Sequence, residues 1–166
     1  LVDITPNLEE SGVTKIVGFM GEHSKDGFSS LNEAADVIAK YLPHRRRPKD
    51  LEGLRKNLRL GQDGRWRWRW HWDPAFIQDV VRRSAVERVG DLEQSVRNIK
   101  APIHLVRGRM SELVSDASVE AFKALAPDAH FTDVADARHM VAGDKNDVFT
   151  AAVSDFLRKH SEGIDA

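Results

Sequence analysis

From residue 6 to residue 100 the apolar positions of this chain recur mostly at helical spacing; from Ala101 onward, short continuous apolar runs alternate with helical ones. Val13, Ile16, Val17 and Met20 fall at i, i+3, i+4 and i+7, which predicts a helix over 13–20. Ser30 with Glu33 three residues on makes a capping box for a second helix. Leu31, Ala34, Ala35, Ile38 and Leu42 share one face of it, and Pro43 ends it. Leu51, Leu54 and Leu58 suggest a short third helix. Asp73-Pro74 opens another with Phe76, Ile77, Val80 and Val81, and Leu92, Val96 and Ile99 mark one over 91–99.

The stretch 59–72, RLGQDGRWRWRWHW, breaks this pattern with strict alternation after the turn residues Gln62-Asp63-Gly64. Period two predicts a small β-hairpin. Its second strand carries Trp66, Trp68, Trp70 and Trp72 on one face, with Arg65, Arg67, Arg69 and His71 on the other. Because the two sets face opposite ways, they do not form one basic aromatic platform of the kind that stacks single-stranded nucleic acid.

The C-terminal part reads differently. Ile103 to Val106 is a short apolar run between Pro102 and Gly108, a buried strand by length and boundary. Ser115 then caps a helix with Val119, Phe122 and Leu125 on one face, ending at Pro127. Phe131 to Val134 is a second strand, and 146–159 a final helix with Phe149, Ala152, Val153 and Phe156 in register. The tail, 161–166, is expected to fray. At the other end, Leu1 to Ile4 fits the last residues of a strand, closed by Thr5-Pro6-Asn7. A chain that opens inside a strand, without an initiator Met, is expected to be a piece of something longer.

Composition narrows the classes. With 41% hydrophobic and 31% charged residues the chain is globular, and a net charge of −1 argues against a nucleic-acid or anionic-membrane binder. Having no cysteine excludes disulfides and thiolate chemistry and fits a cytoplasmic protein. No apolar run approaches the ~20 residues needed to cross a bilayer. His23, His71, His104, His130 and His160 show no metal-ligand spacing, no phosphate loop or dinucleotide fingerprint is present, and neither metal nor cofactor is expected. The basic run His44-Arg45-Arg46-Arg47 reads as a solvated connector, and His104 as a satisfied strand histidine.

Each C-terminal strand is followed by a loop carrying an ionisable group, Glu112 and then His139, as an orienting acid and a base require. The order strand, G-x-x-S-[acid], helix, strand, H-M-V-A-G-D, helix resembles the C-terminal end of an α/β-hydrolase, most densely over Gly108 to Asp144. The resemblance implies an α/β fold of parallel strands with flanking helices. It makes 1–5 and 101–166 the core and 6–100 a mostly helical cap insert bearing the small hairpin. His139 becomes the catalytic base and Glu112 the orienting carboxylate, with Asp116 and Asp3 as rivals. Trp68, Trp70 and Met140 become expected substrate contacts; a D-G-R-W-x-W stretch ending in Asp-Pro is frequent in caps of this family.

That family carries its nucleophile on a G-x-S-x-G elbow, and no such motif occurs here. Ser111 lies beside the acid rather than on an elbow. The expected partner is therefore the missing N-terminal half of the chain's own sheet, bearing Ser or Asp. The expected substrate is a small, largely apolar ester, epoxide or halide. No turnover is expected from these residues alone, and the sheet edges at 1–4 and beside 103–106 are expected to promote self-association. The alternative is a binding module that uses the Trp/Arg hairpin to engage single-stranded nucleic acid or protein.

Overall fold

The strand expected after Pro102 is the centre of one of two units. The computed structural model describes residues 1–68 and 85–161. In chain order the described elements are α1 (Glu10–Gly21), α2 (Leu31–Tyr41), a 3₁₀ turn (Glu52–Lys56), β1 (Leu58–Leu60), β2 (Trp66–Trp68), α3 (Ala85–Asn98), β3 (His104–Gly108), α4 (Asp116–Leu125), β4 (His130–Val134), α5 (Val141–Asp144) and α6 (Asn146–Ser161). They divide into a unit of Leu1–Thr14 with Arg83–Ala166 and a unit of Lys15–Arg82. No helix among the described residues is long and apolar enough to cross a membrane.

In the first unit all five residues of β3 are buried. It pairs in parallel with β4, His104 opposite His130 and Gly108 opposite Val134. On its other side Val2 bridges Val106 in parallel, with Asp3 N–H donating to the Val106 carbonyl and Val106 N–H to that of Leu1. A strand flanked on both edges and covered on both faces reads as a nearly continuous apolar run, which is what residues 103–106 show. Val106, Val134, Ala137 and Val141 form one buried cluster against Phe149 and Val153 of α6. From α4, Val119 and Phe122 are buried, and Ser115 caps that helix by accepting from Ser118 N–H. α3 begins six residues before the expected start and runs through Gly90. The roughly 1 kcal/mol cost of glycine in a helix did not end it.

In the second unit Ser30 caps α2 as expected, accepting from Glu33 N–H. Glu33 reaches back to Ser29 rather than to the cap residue itself. Leu58 does not continue a helix from Leu51 and Leu54. It opens β1 and is buried opposite Trp68, because cross-strand packing outweighs the weak local pattern. The hairpin forms between β1 and β2, and Phe28 bridges Trp66 to extend it. Phe28, Ala34 and Leu58 are its buried core, with Trp66 and Trp68 packed against them. The Arg face is held within the unit: Arg67 pairs with Asp63 and Lys25 O, and Arg65 donates to the carbonyls of Asp26 and Gly27. Trp70, Trp72, the helix expected after Pro74 and the tail beyond Ser161 lie outside the described residues.

Candidate active site

The first unit brings an aspartate and a histidine, 136 positions apart in sequence, into contact at the C-terminal end of β3. Asp3 ends the short segment that pairs with β3, where its backbone turns into the left-handed region with φ 47. Aspartate and asparagine enter that region more readily than most residues. The side chain is completely buried. One oxygen, Oδ1, accepts from Gly108 N–H at 3.0 Å, and Oδ2 accepts from the Ser111 hydroxyl at 2.6 Å. The same Oδ2 lies 3.0 Å from His139 Nδ1. A buried carboxylate needs such donors to offset its lost hydration.

The loop carrying His139 is fixed on both sides. Arg109 N–H donates to Val134 O and Met110 N–H to Ala137 O, tying the loop after β3 to the loop after β4. Arg138 N–H donates to the Asp144 carboxylate, and Ala137 and Val141, flanking the histidine, are both buried. This close approach is why residue 108 is glycine: a Cβ there would stand 2.3 Å from the Arg138 carbonyl oxygen. About a third of the His139 side chain is exposed. Asp3 is an acceptor and so favours a proton on Nδ1, leaving Nε2 as a base. Among the described residues Nε2 makes no hydrogen bond.

The carboxylate at Nδ1 is thus that of Asp3, one of the rivals, and not that of Glu112. Glu112 is fixed at its backbone. Its carbonyl packs so tightly on the first turn of α1 that a Cβ at Gly12 would come within 2.1 Å of the oxygen, and Glu9 N–H holds the neighbouring Leu113 carbonyl. Asp116 is engaged elsewhere, 2.6 Å from Arg107 Nη1. Ser111 serves the acid: besides donating to Asp3 it accepts from the N–H groups of Leu113 and Val114, locking the turn. Met140 follows His139 and is half exposed. Trp68 belongs to the other unit, where its ring meets Phe28 edge-on, and Trp70 is outside the described residues.

Beneath the site, Arg107 is buried in mid-strand and grips Asp133 through Nε and Nη2, with Arg109 on the same carboxylate. Burial pushes the Asp133 carboxyl up, but the hydrogen bonds from Arg107 and Arg109 outweigh it and hold the group below its ordinary value. His104, by contrast, is satisfied by Thr132 at 2.9 Å, as a strand histidine should be.

No protein-family model matches this chain, and no curated protein does. Solved structures are similar to it. E-2-(acetamidomethylene)succinate hydrolase matches with a TM-score of 0.75 at 23% identity, over 95% of this chain and 56% of that one. Esterase Rv0045c from Mycobacterium tuberculosis gives 0.62 at 26% identity, covering 95% and 53%. An α/β hydrolase from Novosphingobium aromaticivorans gives 0.66 at 17% identity, covering 95% and 55%. The chain spans about half the length of these solved chains.

Proposed function

We propose that this chain, which has a partial α/β-hydrolase fold, supplies the acid and base of a hydrolytic site, with Asp3 as orienting carboxylate and His139 as base. The observation that carries the reading is the 3.0 Å contact between His139 Nδ1 and a fully buried carboxylate that two further donors hold in place. A carboxylate so placed fixes the imidazole tautomer and stabilises the imidazolium formed when Nε2 takes a proton. The nucleophile is assigned to residues outside these 166, on a G-x-S-x-G or G-x-D-x-G elbow. With a serine, His139 accepts the hydroxyl proton as oxygen attacks the substrate carbon, returns it to the leaving group, and then deprotonates the water that releases the product. With an aspartate, the carboxylate attacks directly and His139 acts in the water step alone.

The substrate class proposed is a small, largely apolar ester-like molecule, with epoxide or halide chemistry tied to the aspartate case. Met140, Trp68 and Trp70 are proposed to contact it, on the strength of the family resemblance. Among the similar structures, one is an E-2-(acetamidomethylene)succinate hydrolase and another an esterase, which supports acyl transfer over the alternatives.

The test is hydrolysis of p-nitrophenyl butyrate by a polypeptide in which these residues follow such an elbow, with the 166-residue chain as an inactive control. His139→Ala is expected to lower kcat by about 10³-fold or more, since loss of a triad member leaves little beyond binding. Asp3→Asn is expected to lower it by about 10²–10⁴-fold through the wrong tautomer. Glu112→Gln should stay within a few-fold of wild type. Full activity in Asp3→Asn, with loss in Glu112→Gln, would return the role to Glu112.

A further inference from the structure

At the opposite end of β4 from the His139 loop, two histidines face each other. His130 is the first residue of β4, and its N–H is fixed to the Ile103 carbonyl. His160 sits in the last turn of α6. Both rings pack on Phe156, with centroids 5.4 and 4.6 Å from it, so strand and helix each present their imidazole from a supported position. The two Nε2 atoms stand 3.3 Å apart and the ring centroids 5.2 Å apart. Both residues are exposed.

These two distances are those of a chelate. Zinc takes imidazole nitrogens at about 2.0–2.1 Å in tetrahedral geometry, so two nitrogens on one ion lie about 3.3–3.4 Å apart. With ring centres a further ~1.2 Å behind each nitrogen, the centroids of such a pair lie about 5.2–5.3 Å apart. A collinear N–H···N pair at the same nitrogen separation would put the centroids near ~5.7 Å, and N–H hydrogen bonds favour straight geometry. The centroids stand closer than that, so at least one ring is tilted off the line between the nitrogens, as a shared ion requires of both. Imidazole is also the side chain that suits zinc, copper and nickel.

We propose that His130 and His160 form a two-histidine site for a borderline divalent cation, with zinc as its representative. Among the described residues no group of three or more His, Cys, Asp or Glu could hold a metal, so water completes the coordination. His104 is not a third ligand, because its Nε2 is engaged by Thr132. The pair lies beside a depression of about 410 Å³ that Arg97, Lys100 and Asp128 also border, which gives water a route to the open positions. Arg97 is paired with Glu93, which moderates the cationic surroundings. On binding, the ring that donates across the pair moves its proton from Nε2 to Nδ1 through solvent, and both Nε2 lone pairs turn to the ion. The ion would then clip the end of α6 to the start of β4. The site is independent of the Asp3–His139 pair and its proposed role.

The experiment titrates the 166-residue chain with zinc sulfate and follows imidazole nitrogens by long-range ¹H–¹⁵N correlation, with calorimetry for stoichiometry. The expected result is one equivalent bound, the Nε2 signals of His130 and His160 shifting together while those of His139 stay put, and slower amide exchange at the end of α6. His160→Gln, at an exposed helix end where circular dichroism can confirm folding, should abolish all three effects, and His130→Gln should do the same. Binding that survives His160→Gln, shifts confined to other histidines, or no saturable binding would each overturn the proposal.

Discussion

Replacing Asp3 isolates the interaction on which the site stands. In Asp3→Ala the Gly108 N–H loses the acceptor it has in Asp3 Oδ1, and the Ser111 hydroxyl and the His139 ring lose theirs in Oδ2. A hydrogen bond to a charged group contributes about 1.5–3 kcal/mol net, and a buried donor left bare costs about 1–3 kcal/mol. The Ser111 hydroxyl can rotate, and His139 is exposed enough to hydrate, so their share falls at the low end. Alanine at φ 47 adds about 1 kcal/mol of left-handed strain. The total expected is about 3–5 kcal/mol. Asp3→Asn keeps volume and backbone preference and retains one acceptor, so about 1–2 kcal/mol is expected. Urea denaturation with unchanged m separates these values. Imidazole ¹⁵N shifts supply the second readout: Nδ1–H in the wild type, a mixture of tautomers in Asp3→Ala and mainly Nε2–H in Asp3→Asn. Should Asp3→Ala unfold within about 0.5 kcal/mol of wild type with the tautomer unaltered, the buried carboxylate would not be organising His139.

The other predictions concern what surrounds that contact. Gly108→Ala drives a methyl against two backbone carbonyls, and is expected to cost about 3 kcal/mol or more and to disturb the His139 imidazole signals, both measurable on one sample. Asp133→Asn leaves Arg107 buried with Asp116 as its remaining charged partner, at an expected cost of about 1.5–3 kcal/mol at neutral pH. Because the Asp133 carboxyl is depressed in the folded state, its contribution is complete above the ordinary carboxylate range and lost as pH falls through the lower folded value. Unfolding curves of wild type and variant should therefore converge in acid. Leu1, Val2 and Ile4 are exposed beside the sheet, and light scattering is expected to show self-association rising with concentration; a monomer throughout would count against an open edge.

What could be read from the sequence, and what could not, follows from how far each determinant reaches along the chain. The β3 strand, the Ser115 cap, the α6 stripe and the Trp hairpin rest on residues within a few positions of one another, so their spacing announces them. The acid at Nδ1 does not. Glu112 sits where a loop follows a strand, close in sequence to the motif it was expected to serve, whereas Asp3 reaches His139 only because parallel pairing lays Leu1 to Asp3 along β3. The available signal was the segment Leu1-Val2-Asp3 itself: a carboxylate at the end of a strand, just before a turn, where a sheet releases its side chains. Arg107 was hidden for the same reason. It breaks an apolar run and makes sense only against Asp116 and Asp133, which come to it from a helix and from the next strand. Gly108 and Gly12 likewise encode approaches of backbone to backbone that no periodicity reports. The His130–His160 pair has the same character: thirty positions separate its members, so no spacing rule would join them, and a strand start and a helix end bring them to chelating distance. In a parallel sheet the side chains that do chemistry collect at strand ends from remote parts of the chain, so local pattern identifies the strands while pairing decides which ionisable groups meet.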